Sequence, residues 1–201
     1  MQLYAGLALY GASMALIIRS TLGNMPWDVL HQGLANRSGW SIGVVSIVVG
    51  ALGLLAWIPL RQRPGLGTVS NVVVIGLAVD ATLAAVPAPG SMPLRVGLLV
   101  AGVLLNAVAT AAYIGVHLRP GPRDGLMTGL VRRTGGSVRL VRTSIEVAVV
   151  ATGWLLGGTL GLGTVVYALA IGPLVQVLLP RLSVSLASTP TPTAVVPTPR
   201  G

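Results

Sequence analysis

The chain contains no cysteine and no lysine, and only four of its 201 residues are acidic. Without cysteine, disulfides, thiolate metal sites and thiol catalysis are excluded. Without lysine there is no phosphate-binding GxxxxGK[ST] loop, so the glycine-rich GLGT stretches belong to turns. Charge of either sign is scarce: Asp, Glu, Lys and Arg make up 8% of the residues, against about 25% in a soluble domain. Hydrophobic residues make up 53%, and the mean hydropathy is +0.85. Most of the surface of such a chain does not face water. The composition points to an all-α, polytopic transmembrane helical bundle in contact with a lipid bilayer.

The net charge of +9 comes from thirteen arginines. They cluster between apolar runs, where the positive-inside rule puts them, and no basic soluble module is present to bind nucleic acid. The apolar start of the chain lacks a basic n-region and an Ala-x-Ala site, so it reads as a first membrane helix and not as a signal peptide. Runs long enough to span lipid fall at Gln2 to Ile18, Ser41 to Leu60, Thr68 to Val86, Leu94 to Val116, Thr143 to Gly161 and Thr164 to Leu179. The expected organisation is a first membrane repeat over 1–92, a second over 93–180, and a disordered Pro/Thr-rich tail over 181–201.

The halves are copies. At an offset of 96 residues, Pro26, Asp28, Leu30, Gly33, Leu34, Arg37 and Gly39 fall on Pro122, Asp124, Leu126, Gly129, Leu130, Arg133 and Gly135. That is seven identities in fourteen positions, where chance gives about one. The same register superimposes the GLGTV beginning at Gly65 on that beginning at Gly161. Each copy holds three spans and one short Pro-x-Asp segment of about a dozen residues, roughly 18 Å as a helix and too short to cross. An odd number of crossings inverts the second copy, so six spans as an inverted 3+3 repeat, each half with a short broken or re-entrant helix, are expected. Placing both termini in the cytoplasm leaves ten arginines inside and three outside, the favoured orientation in a bacterial cytoplasmic membrane.

The Pro-x-Asp segments have a purely structural account: proline at the first helical position, an acid in the first turn, and Arg37 or Arg133 toward the other end. A functional account is also available. Helix starts inside a membrane are tolerated where they line a cavity, which makes Trp27, Asp28, Arg123 and Asp124 candidate substrate-binding residues. In the repeat register Trp27 falls on Arg123 and His31 on Met127. Asp80, within an apolar run, is the candidate proton-coupling group; it either pairs with an arginine, Arg19 being the candidate, or is protonated, or lines a wet cavity. Glu146, four residues after Arg142, is expected to form an intrahelical pair. Asn71 and Asn106 are expected to bond between helices. No Ser-His-Asp set or metal-ligand cluster occurs, so an enzyme is not expected, and no cofactor or metal is implied.

The blocks GNMPWDVLHQGL, WIPLRQRPGLGT and PGPRDGLMTGLVRRTGGSVRLVRTSIE, continued by GWLLGG, GLGT and IGPLVQ, resemble the YczE/YyaS/YitT group of bacterial membrane proteins, the YczE branch above all. Met25 stands where members of the group tend to have glycine. The resemblance implies a multi-pass membrane protein with a transporter-like role and supplies no substrate. The leading expectation is therefore a small-solute secondary transporter or permease. A pore of the same architecture and a membrane accessory protein without flux of its own are the alternatives.

Overall fold

The computed structural model describes residues 1–62, 64–115 and 121–182. The expected tail after residue 182 lies outside the described residues, as do Arg63, His117 and Arg119. The described chain is helical, with eight helices in order: α1 Gln2–Ser20, α2 Pro26–Ser38, α3 Ile42–Trp57, α4 Leu66–Ala85, α5 Met92–Ile114, α6 Pro122–Thr134, α7 Val138–Leu155 and α8 Leu162–Leu182.

The duplication is visible in the element boundaries. The two short helices have 13 residues each, with proline first, an aspartate in the first turn and a C-cap glycine in the left-handed region, Gly39 at φ 74 and Gly135 at φ 67. Neither N-cap, Met25 or Gly121, supplies a side-chain hydrogen bond. Asn24, just before the first of them, donates from Nδ2 to Gln32 Oε1 at 2.7 Å. Ser41 caps α3 and Ser137 caps α7, each accepting from the N–H three residues on. The GLGT threonines lie one turn inside α4 and α8 and are not their N-caps. Thr68 Oγ1 accepts from Gly65 N–H at 3.3 Å and Thr164 Oγ1 from Gly161 N–H at 3.4 Å, the returning half of a capping box. Helix α8 runs through Pro180 to Leu182, two residues into the segment expected to be tail.

Among the described helices, α1, α4, α5 and α8 are long and apolar enough to cross a membrane, and α2 with α3 forms a fifth candidate span that turns by 114° at its break. Six spans were expected, with a short broken or re-entrant helix in each half. Helix α3 has only 16 residues, about 24 Å, and α7 carries Arg139, Arg142 and Glu146 on its first turns. Large apolar side chains face outward, Leu52, Leu77, Leu104, Trp154, Leu169 and Val177 among them, while the polar Ser13, Asn24, Asp28, His31 and Asn106 are buried beside the apolar core. That is the distribution of a protein solvated by lipid.

Side-chain contacts set the helix directions. Tyr4 meets Ser70 and Arg19 meets Leu83, so α1 and α4 run parallel. Asn106 bonds Tyr167, and Gln2 Nε2 donates to both Ala112 O and Leu182 O, so α5 and α8 run parallel and both oppose α1. Helix α1 packs on α5, α1 on α4, α5 on α8, α2 on α7 and α3 on α6. Exchanging the halves maps this set onto itself. The main departure is that α3 packs along α4, but α7 has no comparable packing with α8. A Cβ on Gly43 would overlap the Gly76 carbonyl, so α3 and α4 touch through their backbones. The position 96 residues after Gly43 is Arg139, which cannot approach α8 in that way.

Candidate functional site

A cavity of about 430 Å³ lies at the centre of the bundle and draws lining residues from all eight helices. Its size is ordinary for a small-molecule site. The starts of both short helices line it, through Pro26, Trp27 and His31 of α2 and through Pro122, Arg123, Asp124 and Met127 of α6. The Arg123 guanidinium carbon lies 4.8 Å from the centroid of the Trp27 ring, a cation–π stack. These two residues occupy the same position in the two repeats, and equivalent positions can touch only close to the axis that relates them.

Asp28 sits behind this wall, fully buried. Its Oδ1 is 3.2 Å from His31 Nδ1 and 4.0 Å from Arg123 Nη2, while its Oδ2 has no hydrogen-bond partner among the described residues. Asp124 is exposed to the cavity and its carboxylate takes part in no hydrogen bond or ion pair among the described residues. Helix α7 contributes Arg142 and Glu146, joined at 2.9 Å, the intrahelical pair expected from their spacing.

Three of the four expected substrate-binding residues therefore line one cavity, and Asp28 supports it. Asp80 does not line it. Asp80 lies five residues before the end of α4, and its carboxylate accepts from Ser41 Oγ at 2.5 Å and from Gly43 N–H at 2.8 Å. The candidate Arg19–Asp80 pair is absent: Arg19 Nη2 donates to the Leu83 carbonyl. Each charge has gone to a helix end of opposite partial charge, Asp80 to the start of α3 and Arg19 to the last turn of α4. Asn106 does bond between helices, donating to Ser13 Oγ at 2.8 Å and accepting from Tyr167 O–H at 2.9 Å. Asn71 lines the cavity beside Gly121.

Sequence reasoning did not find Tyr10, Tyr113 and Tyr167. All three line the cavity, and the rings of Tyr10 and Tyr113 meet edge to face with centroids 6.0 Å apart. The repeat register carried a signal for two of them, since Tyr10 falls on Asn106 and Asn71 on Tyr167.

The loop before α2 is tied to the loop before α8. Gly163 N–H donates to Leu22 O at 2.8 Å, Asn24 N–H to Thr159 O at 3.1 Å, and Thr159 N–H to Gln32 Oε1 at 2.6 Å. These bonds fix where the α2 N-terminus enters the cavity.

Comparison with known proteins places this architecture. The family of unknown function DUF6198 matches residues 1–180. The chain belongs to that family. It is 42% identical over 170 residues to an "Uncharacterized protein" of Haemophilus influenzae, covering 85% of this chain and 78% of the relative. It is 32% identical over 181 residues to the "Uncharacterized membrane protein YczE" of Bacillus subtilis, covering 89% and 84% of the two chains. It is also 23% identical over 179 residues to YyaS of the same organism, covering 87% and 89%. No solved structure matches. The apolar helices and the named membrane relative together make this DUF6198 member a membrane protein.

Proposed function

We propose that this DUF6198 protein is a small-solute secondary transporter of the bacterial cytoplasmic membrane, with six crossings in an inverted 3+3 repeat and both termini in the cytoplasm. One observation carries the reading: the starts of two duplicated half-helices meet at a central cavity, and equivalent residues of the two copies, Trp27 and Arg123, touch across it. Discontinuous helices meeting at a repeat interface are how many secondary transporters form their sites. The opposed directions of the α1/α4 and α5/α8 pairs support inversion. In this reading α3 and α7 complete the six crossings, their ends extended through the bilayer by the adjoining loops.

The absence of cysteine makes the native chain a clean background for single-cysteine labelling with a membrane-impermeant maleimide. Ser38 and Thr134 are equivalent, exposed ends of α2 and α6. Ser38→Cys should label only from outside and Thr134→Cys only from inside. Labelling of both from the same side overturns the inverted arrangement. A cysteine at Trp27, inside the cavity, should label from one side at a time; simultaneous access from both sides means a pore.

A further inference from the structure

Half of the chain's aromatic residues line this one cavity. The chain has four tryptophans, four tyrosines and no phenylalanine, and Tyr10, Trp27, Tyr113 and Tyr167 all contribute to the wall. They come from four different helices, α1, α2, α5 and α8, so no single amphipathic stripe accounts for the gathering. The ionic groups pair off unevenly. Arg142 is bonded to Glu146 at 2.9 Å, and Arg123 stacks on Trp27 with its Nη2 4.0 Å from Asp28. Two guanidinium groups are thus matched by two carboxylates, and the third carboxylate, Asp124, is left over. It is not consumed by capping either, since no N–H of α6 donates to its side chain. A carboxylate without an ion-pair partner, lining the same cavity as several electron-rich rings, is the chemistry that recognises an organic ammonium ion.

Resting on the transporter reading of the same cavity, we propose that its ligand is a small organic cation, a substituted ammonium held by the carboxylate of Asp124 and the rings of Tyr10, Tyr113 and Tyr167. An anion is disfavoured here because the cavity's arginines are already engaged. A neutral solute would leave the Asp124 charge without a counter-ion in the cavity.

The test is equilibrium binding to the purified full-length protein in a non-ionic detergent, by titration calorimetry. Three probes are used: choline, its neutral carbon isostere 3,3-dimethylbutan-1-ol, and acetate. Choline should bind saturably and at least tenfold more tightly than either of the others. Asp124→Asn, a nearly isosteric change at an exposed and unpartnered side chain, should weaken choline at least tenfold while the protein elutes and melts as before. Tyr113→Phe should retain binding and Tyr113→Leu should lose it, because the ring face and not the hydroxyl supplies the attraction. Equal affinity for choline and the neutral isostere, tighter binding of acetate, or an unchanged choline affinity in Asp124→Asn each overturns the assignment. Failure here is distinguishable from failure of the transporter reading. Acetate binding that protects a cavity cysteine removes the cation and leaves the transport site, whereas choline binding with simultaneous two-sided access at position 27 removes the transporter and leaves the cation.

Discussion

Asp80 separates a structural carboxylate from a functional one, and its geometry allows the separation to be measured. The side chain accepts from Ser41 Oγ at 2.5 Å and from Gly43 N–H at 2.8 Å, joining the end of α4 to the start of α3. A hydrogen bond to a charged group contributes about 1.5–3 kcal/mol, and an acid at a helix N-terminus adds about 0.3–1 kcal/mol. Asp80 is only half-buried, so water replaces part of what is lost, and Asp80→Ala is expected to cost about 2–4 kcal/mol. Asp80→Asn keeps one carbonyl acceptor and should cost about half as much. In a chain of this size, about 1 kcal/mol moves a melting midpoint by about 2–4 °C. The alanine variant should therefore melt roughly 5–15 °C lower and the asparagine variant roughly 2–8 °C lower, read by scanning fluorimetry of the four tryptophans at one heating rate, since membrane proteins commonly unfold irreversibly. Proteoliposomes loaded with a pH-sensitive dye provide the second readout. If Asp80→Asn melts like the native protein yet loses proton movement down an imposed gradient, the capping account is refuted and the carboxylate is a coupling group.

Three further outcomes follow from packing and charge. Gly43→Ala forces α3 away from the Gly76 carbonyl and should destabilise by about 1–3 kcal/mol. Gly97→Ala, whose new methyl group meets nothing within 4 Å, should be neutral or stabilising by up to about 1 kcal/mol; the two melting curves check the pair. Trp57→Phe keeps much of the ring but removes the donor that reaches Pro122 O at 3.0 Å, leaving that carbonyl to seek another partner. It should cost about 1–3 kcal/mol and speed maleimide labelling of a cysteine at Met127, one turn into the half-helix that Trp57 holds. Arg123→Gln removes the cation nearest to buried Asp28, so it should lower the melting midpoint by more than Arg37→Gln, whose side chain is exposed.

The short helices were legible because they are spelled by local rules: proline at the first position, an acid in the first turn, glycine beyond the end. The internal register made the duplication visible, and i,i+4 spacing exposed the Arg142–Glu146 pair. The partners of Asp80 were not legible because they depend on where another helix begins. From sequence it looked embedded in an apolar run, whereas α4 and α3 converge there and a serine cap stands opposite it. The tyrosines escaped for a related reason: positions 10, 113 and 167 share no local pattern and meet only when four helices are packed. Of the six expected spans, those at α3 and α7 are the two that length and hydropathy alone do not single out, because α3 ends early at Trp57 and the first turns of α7 are charged.

The departures from symmetry are as informative as the symmetry. In the first half, Gly43 and Gly76 let α3 and α4 touch, and Asp80 fastens the contact. In the second half the equivalent positions are Arg139, Gly172 and Gln176, so the small residue that permits approach and the carboxylate that fastens it are both gone. Helix α8 is held instead through α5, by Tyr167 on Asn106 and by Gln2 bridging Ala112 and Leu182. Arg142 and Glu146 of α7 and Tyr167 and Gly172 of α8 line the cavity where these two helices lack the packing that α3 and α4 share. A duplicated chain with two equal halves would close its cavity equally on both sides. By changing one glycine and one aspartate in the second copy, this sequence leaves α7 and α8 without the backbone contact and the carboxylate tie that join α3 to α4.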